Sequence, residues 1–450
     1  PANQSRPGGH SKPVSRDREC DSVRGAERRG VPDELWDWSV RVRGRGGAWA
    51  GHSGGGDGMA PPWTVSDDVL GRGPERQVLV VGDGLVGRTV TAMLQRCGYE
   101  PVLAVNDTQR SSPAVVQVAS DTMRVLEDLD VASRVRDRVT RIESVQATHA
   151  ETEAAATERS VSTTERTGST TAGSVIDAAE LRRALAVEWP LERARTDRAI
   201  RGVTTRADGI EVAFADGVRE TFDVVVDTTD TPALEDRAVE PVPTRSIVQY
   251  VGRCDREERE SQVLREVWAP GALAQVIPDG TASEAWVRVT TNRGDATGLT
   301  AHPAFEAAAG VDPGVVAAVV RSEESTRVQQ VRLGADQLPS ARWGAGRIAR
   351  CGRAAMPVAP AIGSGFSLGV RDAVAFVSEL ARHDHSTTAA IEAYATARHR
   401  AVATHQRRAR HRQSTHSPTE MPRGEDSVEA LTVRRTHALQ RYLDSPSDRA

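Results

Sequence analysis

The stretch that most restricts the fold is "VLVVGDGLVGRTV", residues 78 to 90. A run of apolar β-formers breaks there into Gly82, Gly84 and Gly87, the G-x-G-x-x-G spacing of a loop that joins a strand to a helix. Glycine at those places permits the tight turn and lets a diphosphate approach the helix N-terminus, whose dipole favours an anion. With Leu85 and Val86 these glycines form the first candidate group for holding a dinucleotide. A tight strand–helix turn with nothing bound is the alternative. Such loops work with an acidic side chain about 20 residues on, which holds a ribose hydroxyl. In "PVLAVNDTQR" the expected place falls on Val105, followed by Asn106 and Asp107. Asn106 can both donate and accept hydrogen bonds, which makes it the candidate ribose contact.

The order of elements places this loop in an α/β domain. "RTVTAMLQRCG" reads as the helix after the loop, ended by Gly98, and "SDTMRVLEDLDV" as a second helix capped by Ser120 or Asp121. "ETEAAATERSVSTTERTGSTTAG" is a polar surface excursion, and "DAAELRRALAVEW" a further helix. Asp208-Gly209 and Asp216-Gly217 mark hairpins, and Val224–Val226 reads as a buried strand. "RSIVQYVG", "GALAQVIPDG" and "AWVRVTTN" are strands, followed by a short helical segment, "PGVVAAVVRSEES". A strand at "GRIARCG" and a long helix at "GVRDAVAFVSELARHD" then return the pattern to α/β. The division expected is a disordered extension over 1–75, a nucleotide-binding domain split between 76–238 and 339–413, a β-rich domain over 239–338, and a linker and tail over 414–450. Met59 is an alternative start, with residues 1–58 outside the native protein.

Composition excludes more than it proves. The chain of 450 residues is 38% hydrophobic and 27% charged, ordinary for a globular protein of about two to three domains. A formal net charge of −4 points away from nucleic acid. Basic side chains are almost all arginine, Lys12 being the single lysine. Cys20, Cys97, Cys254 and Cys351 are scattered without a C-x-x-C pair, which fits a reducing compartment. No run approaches the ~18 apolar residues of a membrane span, and the N-terminus lacks the apolar core of a signal peptide. A cytoplasmic location is expected.

A second constellation is "CGRAAMPVAPAIGSGFSLGVRDA", residues 351 to 373. A strand ends at Cys351-Gly352, and Pro360, Gly363, Ser364 and Gly365 lead the backbone into a helix. N–H groups at such a helix start stabilise negative charge on a bound ring. A Pro/Gly connector with a tight cap is the plainer alternative.

These two segments, their order and the β-rich part between them resemble the single-component FAD-dependent aromatic hydroxylases, the monooxygenases similar to para-hydroxybenzoate hydroxylase. The second segment aligns without a gap on that family's second FAD motif through Gly352, Ala354, Ala355, Pro360, Gly363, Gly365 and Asp372-Ala373. "DAAELRRAL", "FADGVRETFDVVVD", "REVWAPG" and "LPSARWGAGRIARCG" are smaller echoes, and the resemblance spans roughly residues 76 to 412. It implies an α/β FAD-binding domain, Rossmann-like and three-layered, with an inserted β-rich substrate domain. It implies FAD as cofactor and NAD(P)H as transient reductant. O2 would give one oxygen to a small organic substrate lying between the cofactor and strands such as 263 to 277. Gly82, Gly84, Leu85, Val86, Gly87, Asn106, Gly352, Arg353, Pro360, Gly363, Ser364 and Gly365 are the cofactor-binding positions it assigns; no catalytic side chain and no metal site is assigned.

Several residues depart from the family's pattern. Asp177 stands near the place of an arginine, Thr229 in "DTTDTPA" stands for an acid, and Arg353 replaces the aspartate toward the ribityl chain. Met356 and Ser364 replace a histidine and a glutamine. Arg353 can only donate, to a ribityl hydroxyl or to the diphosphate. A non-catalytic homologue that binds or regulates is therefore the alternative function. "GFSLG", with Ser367 at its centre, matches a hydrolase nucleophile elbow, but Pro360 and the Gly-Ser-Gly run stand where a buried strand is required. "RHDH" (382 to 385) reads as solvated histidines rather than a metal site. The arginines between Arg398 and Arg412 form a basic helical stretch that reads as a solvated face, with a nucleic-acid contact as the alternative.

Overall fold

The computed structural model describes residues 76–104, 115–149, 173–187, 194–195, 199–229, 234, 244–255, 262–269, 271–279, 284–291, 325–331, 338–412 and 427–444. They belong to a compact unit that runs from Trp63 to Ala450. The expected extension over 1–75, the polar excursion from residue 151 and the helix at "PGVVAAVVRSEES" lie outside the described residues.

Apolar β-formers build the central sheet. Its strands are β1 (Val78–Val81), β2 (Val102–Ala104), β7 (Ala194–Arg195), β11 (Val224–Asp227), β17 (Gly344–Ala345) and β18 (Ile348–Arg350), in the order β17-β18-β11-β1-β2-β7. All pairs are parallel except β17 with β18. All of β1 is buried, as is all of β11, because both faces of the sheet are covered. One face carries Leu79, Val81 and Val225 against Ile210, Val212, Phe214 and Phe222 of a meander. That meander is β8 (Ile200–Thr205), β9 (Ile210–Phe214) and β10 (Arg219–Phe222), turned at the two Asp-Gly pairs. Helices cover the other face: α1 (Leu85–Arg96) packs on β1 and against α4 (Gly365–Arg382). The layers are meander, parallel sheet and helices.

A second six-stranded sheet has the order β16-β12-β15-β14-β13-β5. These are β5 (Ser144–His149), β12 (Thr244–Asp255), β13 (Val263–Ala269), β14 (Ala272–Pro278), β15 (Glu284–Thr291) and β16 (Ser325–Val331). It is antiparallel apart from the β13–β5 pair, so a strand from the first part of the chain joins the later five. A small antiparallel sheet has the order β3 (Val115–Val118), β6 (Ser174–Asp177), β4 (Val139–Arg141).

Three local expectations change. Helix α2 (Ser120–Asp128) takes Ala119 as its N-cap, without a side-chain cap. Asp121 instead accepts from the Thr122 N–H and pairs with Arg371 through its other oxygen. The stretch read as linker and tail contains α6 (Val428–Asp444), which packs on α5 (Thr387–Arg412) and β14. Arg398 is not on a solvated face: it is 1% exposed and bridges Asp372 at 2.6 Å and Glu429 at 2.8 Å.

Candidate functional site

Several pieces of chain meet at one cleft: the glycine loop, the segment from Arg353 to Phe366, a wall from β3 and β15, and the side chains of Arg182 and Thr228. About 960 Å³ of atom-free space lies within it, open mouth included.

The glycine loop is fixed from behind and bare in front. Gly82 sits at φ +103°, a region L side chains rarely enter. The Thr228 hydroxyl, at the end of β11, donates to the carbonyls of Val81 at 2.8 Å and Gly82 at 3.2 Å. Gly87 is packed so closely that a Cβ there would lie 1.9 Å from the Gly82 carbonyl oxygen. At Gly84 a Cβ would meet nothing within 4 Å, so this stretch of backbone faces open space in the cleft. Gly84 begins α1 with no side-chain cap and no acid in the first turn, so that end of the helix has free N–H groups and positive potential. Leu85 and Val86 line the cleft beside it.

The second segment is built the same way. Gly352, at φ +63°, packs on Val86 and Gly369, and its N–H donates to the buried Asp372 carboxylate at 2.8 Å. Arg353 faces the cleft. Pro360 opens a single 3-10 turn that ends at Gly363, φ +84°, over the Gln117 side chain; a Cβ there would meet Gln117 Oε1 at 2.1 Å. Gly365, the first residue of α4, leaves open space where a Cβ would stand. Ser364 is different: its hydroxyl meets Thr432 Oγ1 of α6 at 2.6 Å, so it serves the C-terminal helix.

The cleft thus brings together Gly84, Leu85, Val86, Arg353, Pro360, Gly363 and Gly365. Gly82, Gly87 and Gly352 form the packing behind it, while Val105 and Asn106 lie outside the described residues. Thr229 is buried and bonded, through N–H and hydroxyl, to Asp227 Oδ1 at 3.0 and 2.6 Å. The acid of this segment is therefore Asp227, turned inward at the end of β11, where burial raises its carboxyl above the ordinary range against those hydrogen bonds. Asp177 accepts from the N–H groups of Ala179 and Glu180 and caps α3 (Ala178–Val187). Ser367 Oγ is 1% exposed and accepts from Ala119 N–H at 2.9 Å, tying α4 to the start of α2. Among the described residues no three His, Cys, Asp or Glu are grouped so as to hold a metal ion.

Of the arginines that charge the cleft, Arg353 is legible in the sequence, whereas Arg182 and Arg288 are not. Arg182 of α3, Arg288 of β15 and Arg353 line it against a single acid, Asp83. Arg288 is 3% exposed; its Nη1 donates to the Pro360 carbonyl at 2.9 Å and its Nη2 to Val115 at 3.3 Å, while its Nε has no partner. Burial lowers its pKa to about 10, so it keeps its charge at neutral pH. The carboxylate nearest in effect, Glu266, is already held by Arg435 at 2.6 Å, Gln275 and Trp268. The only cue in the sequence was a charge inside the buried alternation "AWVRVTT".

The fold, a parallel sheet layered between a meander and helices beside a second six-stranded sheet, is shared with solved structures that bind FAD. Among solved structures it is similar to Klebsiella pneumoniae HpxO complexed with FAD and uric acid, at TM-score 0.58 and 15% identity over 84% of this chain and 94% of that one. It is similar also to a mutant 2-methyl-3-hydroxypyridine-5-carboxylic acid oxygenase, at TM-score 0.57 and 16% identity over 81% and 98%. In sequence it is 28% identical over 151 residues to each of two Streptomyces platensis proteins, the 3-amino-4-hydroxybenzoate 2-monooxygenases PtmB3 and PtnB3. That match covers 33% of this chain and 38% of either relative, so the chain spans about two fifths of the length of the curated relatives it matches. No family profile matches the chain. Among the described residues no helix is long and apolar enough to cross a membrane.

Proposed function

We propose that this chain is an FAD-dependent monooxygenase that uses NAD(P)H and O2 on a small aromatic substrate. The observation that carries the reading is the bare backbone at Gly84 and Gly365, two open cradles on one cleft with a surplus of positive charge. A dinucleotide fits such a cleft: its diphosphate would meet the uncapped start of α1 and Arg353, with Gly82 and Gly87 keeping the loop in shape behind. The backbone of Pro360, Gly363, Ser364 and Gly365 would face the ring, and Asn106 the adenosine ribose. The bound cofactor would supply electron transfer from NAD(P)H and activation of O2, chemistry that side chains do not provide.

The chain's own residues have the remaining tasks. Val115, Val116, Val358 and Phe366 give the cleft an apolar wall that excludes water. The sheet β12–β16, within residues 239–338, serves as the substrate domain, and the segments 76–238 and 339–413 as the two parts of the cofactor domain. Arg288 projects from that sheet to the cleft and offers a cation to an acidic substrate. The substrate for which the two relatives are named, an aminohydroxybenzoate, is such an acid. A cytoplasmic setting fits the scattered cysteines, which form no C-x-x-C pair.

The test begins with the absorption spectrum of the purified protein and the identity of whatever denaturation releases. Flavin should copurify, or added FAD should bind and raise the melting temperature; the failure of both would end the enzyme reading. NAD(P)H oxidation stimulated by 3-amino-4-hydroxybenzoate or a related phenol, with a hydroxylated product, separates a monooxygenase from a passive flavin carrier.

A further inference from the structure

Asp83 is an unexpected neighbour for a diphosphate. It occupies the second position of the glycine loop, one residue before the N-terminus of α1, and its side chain lines the cleft while being only 11% exposed. It does not cap the helix. Its Oδ2 instead receives two guanidinium groups: Arg88 Nη2 at 3.5 Å, and Arg182 Nη2 in close contact. Arg88 is also fastened to the loop, since its Nε donates to the Asp83 carbonyl at 2.9 Å. Arg182 has no such second tether in the loop. It comes from a different element, α3, and its side chain is 35% exposed at the cleft. Burial and the nearby Arg182 both lower the Arg88 pKa, so the two cations crowd one carboxylate.

To a guanidinium, a carboxylate and a phosphate are alternative oxyanion acceptors, each able to take two N–H groups. The charge at this end of the cleft is two arginines against one acid, a net +1. A diphosphate brings about −2 and would find part of the positive field already used.

We propose that Asp83 is a resident competitor for the cofactor's diphosphate, and that Arg182 exchanges Asp83 for a phosphate oxygen when the dinucleotide binds. The cofactor is then held loosely and exchanges with the free pool, because each binding event breaks an ion pair already present. This rests on the reading that the cleft takes FAD. It assigns Arg182 a binding role that neither the glycine motif nor the second segment contains.

The experiment compares Asp83→Asn, Arg182→Met and the double variant with the wild type, titrating apoprotein with FAD, with ADP and with riboflavin. Asp83→Asn should tighten FAD and ADP about tenfold and leave riboflavin unchanged, whereas Arg182→Met should weaken FAD and ADP. The loss caused by Arg182→Met should be larger in the Asp83→Asn background, where Arg182 is wholly available to phosphate. Melting temperatures give an independent readout: Asp83→Asn should lower that of the apoprotein and raise that of the FAD-saturated protein. A pair that only braces the structure would move both in the same direction. If wild type binds FAD and Asp83→Asn binds it equally or more weakly, the competition is refuted and the cofactor reading stands. If neither wild type nor any variant binds FAD or ADP, the cofactor reading itself fails.

Discussion

Gly84 and Gly87 are three residues apart in the same loop, yet the structure gives them opposite duties, and a methyl group distinguishes these. Gly84 has φ −64° and ψ 176°, values alanine adopts freely, and its missing Cβ would point into open space. As an N-cap, alanine is worse than glycine by roughly 0.5–1 kcal/mol, while the loss of chain entropy in the unfolded state returns about 0.4–1 kcal/mol. Gly84→Ala should therefore leave the apoprotein's stability within about 1 kcal/mol of wild type. Its effect on the cofactor is different, because a methyl placed in a filled contact costs about 1–3 kcal/mol. That corresponds to roughly a 5- to 150-fold weaker Kd for FAD. Gly87→Ala behaves inversely: its Cβ would stand 1.9 Å from a backbone oxygen that cannot rotate away, so folding itself is damaged. The assay is urea denaturation of both apoproteins beside FAD titration by fluorescence. Wild-type affinity in a stable Gly84→Ala protein would refute the placement of the cofactor against this loop, whatever Gly87→Ala does.

Three further outcomes follow from buried charge. Arg398→Met leaves Asp372 and Glu429 inside without their shared cation and should cost about 3–5 kcal/mol, seen as a fall in melting temperature; adding Asp372→Asn should recover part of it. Burial alone would raise the Glu429 carboxyl, but Arg371 and Arg398 outweigh it and hold it at about 2 against an ordinary 4.5. Its stabilisation is thus complete above pH 4.5 and is lost as pH falls toward 2, an amount of about 3 kcal/mol; Glu429→Gln should flatten the stability profile in that window. Arg288→Met should leave FAD affinity within about threefold of wild type and weaken an aromatic carboxylate by roughly 10- to 150-fold, as expected for one charged hydrogen-bond partner. The matching aromatic amide should bind both proteins alike.

The parts of this molecule that were legible in the sequence are those set by local rules. "VLVV" reads as a buried strand because its β-branched residues fill both faces, and the glycine spacing reads as a loop because few other sequences permit that turn. The Asp-Gly hairpins and the strand at Ile348–Arg350 were legible for the same reason. Pairings between distant segments were not. Nothing in Ser144–His149 announces that it will lie parallel to Val263–Ala269, and nothing local makes Arg288 a wall of the cleft.

The C-terminal helix shows the harder case, and why it bears on the site. Its inward face mixes Val433, Leu439 and Leu443 with Glu429, Thr432, Thr436 and His437, all buried, so polar residues interrupt the apolar stripe that would mark α6 as part of the core. Polar contacts add to that packing. Glu429 pairs with Arg398 and Arg371, Thr432 meets Ser364, and Arg435 bonds Glu266 and the Ala361 carbonyl. Several of those contacts lead to the elements that shape the cleft. Arg398 holds Asp372, which receives the Gly352 N–H; Ala361 and Ser364 lie in the turn between Pro360 and Gly365. A segment that reads as a tail is therefore a brace for the second candidate motif. The geometry of Gly352 and Gly363 depends on side chains more than 60 residues further along the chain, such as Glu429 and Thr432, which a local motif cannot contain.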